Sequence, residues 1–544
     1  MAETPTGSLR AVQIVTIVLL TALLHFLRFG YDFGVSDQDE LVPAALHALD
    51  TSVLNADWFV RSQAAEFNVR TPTVAILSSL GFVFGIRFAI TLLYVVAFVL
   101  TATGIVRLTR HLSGSALAAV LAPIVVLVLT PRFTVGGNDV TASIFVPSMM
   151  AWGIAIHGVV ATLEGKALRG GLLFGLAVLF QPLAGILVAG TTATAILPRR
   201  IAQVGLPRSL REWGMTLLTT AIMGSPLLIA ITADQISSAG AFPAETIFHI
   251  LVEVRAPHHF LPSAFPLASW LRFGALSGAG LACVLAAPRL RIHRSDILTV
   301  YAITAIACAL YTFAVEVGGS LTVAKMQLFK LTVLVKILAG TAACIALIDY
   351  FERIPDRANR LWNPILVATV LGCIVTSAVV LFKPDLVKGR VALAARAGDP
   401  WSAVYEWASA ETDKDAVFAV PPSNSSFRSW ARRPIVSNFK AFAFQDSGMV
   451  EWYRRISDLT RHPGLQHGYV SPGDLDASYE RLTGADLTQL ADRYGISYVA
   501  RSTPLGAAPN DSTSRWSRVY PPVGADASRQ PHVYALKPAA TDEP

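Results

Sequence analysis

Five consecutive polar residues, Ser36-Asp37-Gln38-Asp39-Glu40, stand just beyond the end of the first apolar block of the chain. The carboxylates of Asp37, Asp39 and Glu40 crowd one another, which raises at least one pKa unless a cation lies near. A carboxyl in that state can act as a general base toward a hydroxyl or as a ligand for a cation. The bland alternative is a solvated loop in which Ser36 or Asp37 caps a helix running through Leu41 to Leu49. The same loop also carries Asp57-Trp58-Phe59 and Arg70-Thr71-Pro72. Acid, aromatic and cation in one stretch favour the chemical reading.

Cations that could meet a phosphate form a second group. Arg255-Ala256-Pro257-His258-His259-Phe260 sets a fork-shaped permanent donor beside two imidazoles, on an approach stiffened by proline. One buried structural histidine beside an exposed one would explain the pair equally simply. Lys325, Gln327, Lys330 and Lys336 follow on the segment entering an apolar block at 329–350. A lysine at membrane depth costs several kcal/mol unless it snorkels or faces a polar cavity. Lys325 and Lys330 are expected near the surface, in contact with phosphate or snorkelling, and Lys336 deeper, against a cavity or a carboxylate. In the tail, Phe427-Arg428, Arg432-Arg433-Pro434, Asn438-Phe439-Lys440 and Glu451-Trp452-Tyr453 mix basic and aromatic residues. That mixture suits a sugar-binding or membrane-facing surface, and equally a domain interface.

The elements that must position these residues follow from composition. The chain has 544 residues, 53% of them hydrophobic and only 15% charged, with a mean hydropathy of +0.52. Soluble proteins carry roughly 25% charged residues, so a soluble globular enzyme is excluded. Apolar blocks of about 18 residues or more recur, the length that spans a bilayer. The expected fold is a polytopic α-helical membrane protein with about 11 transmembrane helices and a C-terminal soluble α/β domain.

The first block, 11–29, follows Arg10 and lacks an A-x-A-like cleavage site, so it reads as a retained signal anchor. Further spans are expected near 73–106, 114–130, 140–162, 212–233, 268–287, 295–316, 329–350 and 361–382. The block 170–197 divides at Gln181-Pro182 into a hairpin of two short helices. Arg107/Arg110/His111, Lys166/Arg169, Arg199/Arg200/Arg208/Arg211, Arg289/Arg291/Arg294 and Arg353/Arg357/Arg360 then all fall on one side. The positive-inside rule makes that side the cytoplasm. The external side receives the loop 30–72, the Gly136-Gly137-Asn138-Asp139 turn, the loop 234–267 and the tail after 383. This divides the chain into a transmembrane domain, 1–382, and an external domain, 383–544.

The net charge of +7 raises the question of nucleic acid. From Lys383 onward the chain holds 19 basic and 18 acidic residues, so the soluble part is nearly balanced and no nucleic-acid partner is expected. That tail alternates short apolar runs at 416–420, 496–500 and 532–536 with amphipathic segments near 446–460 and 485–494, the pattern of a small α/β domain. Cys283, Cys308, Cys344 and Cys373 all lie in apolar blocks, which indicates neither a disulfide framework nor a zinc site. No internal repeat is visible, and the ends, 1–8 and 537–544, read as disordered.

An acidic Asp37-Gln38-Asp39-Glu40 cluster straight after the first helix, many spans and an external soluble tail together resemble the C-type (GT-C fold) glycosyltransferase superfamily. More narrowly, Asp57-Trp58-Phe59, Arg255 through His259 and the tail motifs look like an uncharacterised bacterial subfamily of it. The resemblance implies an inner-membrane enzyme with a cytoplasmic N-terminus and a periplasmic C-terminal domain. It would move a sugar from a polyprenyl-phosphate donor to a glycan, lipid or protein acceptor, inverting the anomeric centre. Asp37 or Asp39 would be the catalytic base. Glu40, Arg70, Arg255, His258, His259, Lys325 and Lys330 are the expected substrate contacts, the phosphate ligands being inferred from charge and side. No cofactor is expected, although magnesium or manganese held by Asp37, Asp39 and a histidine stays open. Asp-x-Asp spacing also serves nucleotide-sugar enzymes, but those donors are cytoplasmic whereas these acids are expected outside. The alternatives are a transporter or flippase of a lipid-linked glycan, which the broken helix at Gln181-Pro182 would suit, and a non-catalytic envelope assembly protein.

Overall fold

The structure is a computed structural model, and it describes residues 11–132, 134–238, 240–352, 391–392, 399–505, 515–522 and 530–537. The span expected at 361–382, Cys373, the arginines at 353, 357 and 360, and the chain ends lie outside the described residues. Contacts divide the chain into two compact units. The first comprises Met1–Tyr31, Thr91–Thr232 and Pro257–Val391, and the second Asp32–Ile90, Ala233–Ala256 and Ala392–Pro544.

Among the described residues, six helices are long and apolar enough to cross a membrane: Ala11–Phe29, Ile86–Ser113, Leu206–Ser237, Leu267–Ala286, Arg294–Val317 and Leu321–Glu352. Thr71–Phe84, Ala116–Leu129, Pro147–Leu163 and Ala167–Phe180 are shorter and also apolar. This is the make-up of a multi-pass membrane protein. The apolar run at 73–106 is not one span, because Gly85, at φ 81°, ends one helix at Phe84 and lets the next begin at Ile86. The hairpin expected at Gln181-Pro182 is present as Ala167–Phe180 packed on Pro182–Val204.

Within the first unit, Pro147–Leu163 is buried along nearly its whole length between the two helices of that hairpin. Leu267–Ala286 packs on Thr332–Glu352 so closely that a Cβ on Gly280 would lie 2.5 Å from that of Ala339. Small residues permit such approach where lipid gives no hydrophobic drive to pair helices. Leu218, Ile222 and Ile229, in contrast, are exposed on Leu206–Ser237, as a lipid-facing stripe requires. Arginines expected on the cytoplasmic side tie helix ends together: Arg199 to Asp296 at 2.6 Å, Arg200 to Glu212 at 2.7 Å and Arg289 to Asp349 at 2.8 Å.

The second unit gathers three stretches that are far apart in sequence: the loop 30–72 expected outside together with the apolar helix Thr71–Phe84, part of the loop 234–267, and the tail. Its C-terminal part holds a sheet of β1 (Val417–Ala419), β2 (Ile496–Arg501), β3 (Trp516–Tyr520) and β4 (His532–Leu536), in the order β1-β2-β4-β3. β1 and β2 are parallel, and the other pairs antiparallel. Alternation along the strands splits the core over two faces. Ala419, Val499 and Tyr534 join Leu459, Leu487 and Leu490 on one, and Phe418, Ala500 and Val533 join Val404, Tyr405 and Phe427 on the other. Helices Asp446–Thr460 and Gly484–Tyr494 coincide closely with the amphipathic segments, the second opened by a Thr483–Asp486 capping box. Val42–Leu49 packs on Thr71–Phe84 and on Phe427–Ala431, and His249–Arg255 packs on Asp446–Thr460.

Candidate functional site

Residues Ser36–Glu40 form a 3-10 helix that leads into Val42–Leu49. Neither Ser36 nor Asp37 caps the longer helix, whose cap position is Leu41 with no side-chain bond. Three residues per turn place Asp37 and Glu40 along one edge and turn Asp39 onto another. The side chains separate accordingly: that of Asp37 is 43% exposed, that of Glu40 12%, and that of Asp39 fully buried. Gln38 is also buried and closes the turn by accepting from the Gly34 amide at 2.7 Å.

Each of the three acids meets a partner from residues 424–444. Asp39 Oδ2 accepts from Asn438 Nδ2 at 2.7 Å and from Arg428 Nη1 at 3.2 Å, while Asp39 Oδ1 has no hydrogen-bond partner among the described residues. Arg428 Nε donates to Asp57 Oδ2 at 2.8 Å, and the guanidinium lies 5.3 Å from the ring centre of Phe59. Asp57 in turn caps Trp58–Ala65, its Oδ1 accepting from the amides of Phe59 and Val60 at 3.1 Å. Burial pushes the Asp39 carboxyl up to about 6, against the opposing pull of Arg428 and Asn438. Burial also opposes the charge on Arg428, but the pull of Asp57 and Asp39 holds its pKa above the ordinary value.

Closer to solvent, Arg70 Nε donates to Glu40 Oε2 at 2.9 Å, and its Nη2 reaches the same oxygen. Glu40 Oε1 accepts from the Phe442 amide at 3.4 Å. Asp37 forms an ion pair with Lys440, whose side chain is 31% exposed. The backbone carbonyl of Lys440 accepts from Arg255 Nη2 at 2.9 Å. Arg255 lies over the rings of Phe439 and Phe442, and Arg70 over that of Phe444. Both guanidinium groups retain a buried nitrogen, Arg70 Nη1 and Arg255 Nε, with no hydrogen-bond partner among the described residues. The arrangement can present one accessible carboxylate beside three cations.

Asp37, Asp39, Glu40, Arg70 and Arg255 thus lie together in the second unit. His258, His259, Lys325 and Lys330 belong to the first. His258 and His259 sit on the short helix Pro257–Phe260, where His259 Nδ1 is 2.7 Å from the Gly136 carbonyl oxygen. A Cβ on Gly137, at φ 61°, would lie 2.8 Å from His259 Cε1, so glycine is needed there. Lys325 lies on Leu321–Met326 and Lys330 on the 3-10 turn Leu328–Leu331. Lys336 is buried and meets a carboxylate: its Nζ donates to Asp139 Oδ1 at 2.9 Å, and to Thr134 Oγ1 and the Asn138 carbonyl oxygen at 3.2 Å.

Sequence reasoning noted Arg428, Asn438 and Lys440 only as part of a mixed basic and aromatic surface. Phe427, Arg428, Asn438 and Trp452 are buried, so much of that motif is interior. Asp57 was noted without its partners; an aspartate just before a helical apolar run is a capping signal that could have marked one of its oxygens. Among the described residues no group of three or more His, Cys, Asp or Glu side chains is placed to hold a metal ion. Asp37 pairs with Lys440 and Asp39 with Arg428.

A sequence-family profile described as a domain of unknown function (DUF6798) matches residues 399–459, the stretch that contains Arg428, Asn438 and Lys440. No curated protein sequence matches the chain. Among solved structures, the chain is similar to the archaeal oligosaccharyltransferase AglB from Archaeoglobus fulgidus in complex with an inhibitory peptide and a dolichol-phosphate. Identity is 12% over 90% of this chain and 69% of that one, with a TM-score of 0.49. The Archaeoglobus fulgidus oligosaccharyltransferase complex with Zn and sulfate gives 13% identity, 90% and 68% coverage, and a TM-score of 0.43.

Proposed function

We propose that the chain is a membrane glycosyltransferase that moves a sugar from a polyprenyl-phosphate donor to an acceptor hydroxyl on the external face of a bacterial cytoplasmic membrane. The observation that carries this reading is the position of Asp37. Of the three acids in the Asp37–Glu40 cluster it alone has a substantially exposed side chain; it pairs with Lys440, whose backbone carbonyl holds Arg255, and the Glu40 of the same turn holds Arg70. In this proposal Asp37 takes the proton of the acceptor hydroxyl as its oxygen attacks the anomeric carbon. The bond from that carbon to the phosphate oxygen breaks on the opposite face, and the configuration inverts. The phosphate gains negative charge as it leaves, and Arg70 and Arg255 stabilise it. Asp39 holds the loop in shape from within. His258, His259, Lys325 and Lys330 remain assigned as substrate contacts on charge alone. No step requires a metal.

The topology proposed with this function has eleven spans, a cytoplasmic N-terminus and the second unit outside. Its support is that the loop 30–72, the loop 234–267 and the tail, all expected outside by the positive-inside rule, contribute to one unit, which also takes in the apolar helix Thr71–Phe84. The test is to reconstitute the protein in proteoliposomes with radiolabelled polyprenyl-phosphate sugars and a membrane extract as acceptor source. Label should pass from the lipid to a product in wild type and in Asp39→Asn, and fail to do so in Asp37→Asn. Movement of labelled lipid between leaflets with the sugar still attached would contradict the proposal and favour a flippase.

A further inference from the structure

Lys440 meets the site twice, through its ammonium group and through its backbone. Its ammonium group pairs with Asp37, and both side chains reach solvent, being 31% and 43% exposed. Its backbone carbonyl anchors Arg255, and Arg70 lies on the neighbouring Glu40. Arg70 is 7% exposed and keeps Nη1 without a hydrogen-bond partner among the described residues, and the same holds for the Nε of Arg255. Donors left over on two guanidinium groups, beside a movable ammonium group, form a set that an anion with several oxygens would complete. A carboxylate held by a lysine is hindered as a base, because the proton it would take must compete with the ammonium group. An exposed ion pair of this kind is weak, typically worth under about 1 kcal/mol, and exchanges readily.

We infer that Lys440 is a shared cation, which leaves Asp37 for the phosphate of the incoming lipid, so that donor binding and release of the base are one event. The inference rests on the proposed function and deepens it by adding a catalytic residue that contacts the donor phosphate. It also gives that site an order: lipid phosphate first, acceptor hydroxyl second. A site without this exchange would expose an unpaired base to water whenever the donor was absent. The neighbouring cations differ from Lys440 in this respect, since Arg428 is fully buried between two aspartates and Arg70 is fixed on Glu40.

Binding of a radiolabelled polyprenyl phosphate bearing no sugar, to the full-length protein in nanodiscs, tests the exchange without turnover. Removing the competing carboxylate by Asp37→Asn should tighten binding about threefold or more, and Lys440→Met should weaken it by a similar factor. The double variant should match Lys440→Met, and Lys440→Arg should bind like wild type. Lys414→Met, which removes an exposed lysine paired with Asp50 in the same unit, should leave binding unchanged. Binding unaffected or weakened by Asp37→Asn, or a Lys440→Met no different from Lys414→Met, would overturn the inference. A chain with this binding signature that transfers no sugar would overturn the glycosyltransferase reading alone. Transfer without the signature would overturn the exchange alone.

Discussion

Arg428 and Asp57, 371 residues apart in the chain, meet at 2.8 Å with neither side chain exposed to solvent. The same guanidinium reaches Asp39, 389 residues away, at 3.2 Å. One arginine from the C-terminal segment thereby holds two acids of the first loop. A buried ion pair seldom adds much net stability, because desolvation cancels much of its attraction, but removing one member strands the other. The triad is therefore best understood as a device that fixes one arrangement of the loop.

Arg428→Met should destabilise the second unit by about 3–5 kcal/mol, the usual consequence of leaving a buried charge without its partner. Two stranded carboxylates are involved, so Arg428→Met combined with Asp39→Asn should recover part of the loss. Thermal unfolding of the purified protein, followed by tryptophan fluorescence, to which the buried Trp452 of this unit contributes, checks both variants.

Asp39 gives a pH dependence of definite sign. Its folded pKa of about 6 lies above an unfolded value of about 3.9, so the folded state binds the proton more tightly. Its contribution is fully present below about pH 4 and is lost as pH rises through about 6. The two-unit difference corresponds to about 3 kcal/mol. Unfolding midpoints compared between pH 5 and pH 7.5 should fall more steeply in wild type than in Asp39→Asn, since the asparagine removes this term and leaves the other titrating groups in place.

Local order was readable in the residues, and partnership was not. The runs at 416–420, 496–500 and 532–536 became β1, β2 and β4 because alternation and β-branched or aromatic residues act within a strand. β3 went unnoticed, as Trp516-Ser517-Arg518-Val519-Tyr520 is too polar to stand out as an apolar run. The acidic loop was visible as a cluster, but a 3-10 turn decides which acid faces inward, and spacing alone did not reveal it. Arg428 looked like a surface residue because a basic and aromatic motif has the same composition whether it faces water or two distant aspartates.

Lys336 and Asp139 provide an independent check on the first unit. The lysine is 1% exposed and the pair is 2.9 Å apart. Asp139→Asn alone should destabilise the protein by about 3 kcal/mol or more, whereas Lys336→Met with Asp139→Asn should be milder, since no buried charge of the pair is then stranded. Resistance to thermal aggregation in detergent ranks the three proteins.

Sidedness has its own test. Ala64 and Asp413 are exposed positions on two segments of the second unit. Single cysteines placed at either position in a cysteine-free background should react with a membrane-impermeant maleimide in intact spheroplasts. Labelling only after permeabilisation would put the unit in the cytoplasm and remove the lipid-linked donor from reach.

The central claim is that Asp37 accepts the proton of the attacking hydroxyl. Its most direct test is the single-turnover rate of sugar transfer from a polyprenyl-phosphate donor, compared between wild type and Asp37→Asn at matched thermal stability. Loss of a general base predicts a rate lower by about 10²–10⁴-fold; transfer by Asp37→Asn at the wild-type rate would contradict it.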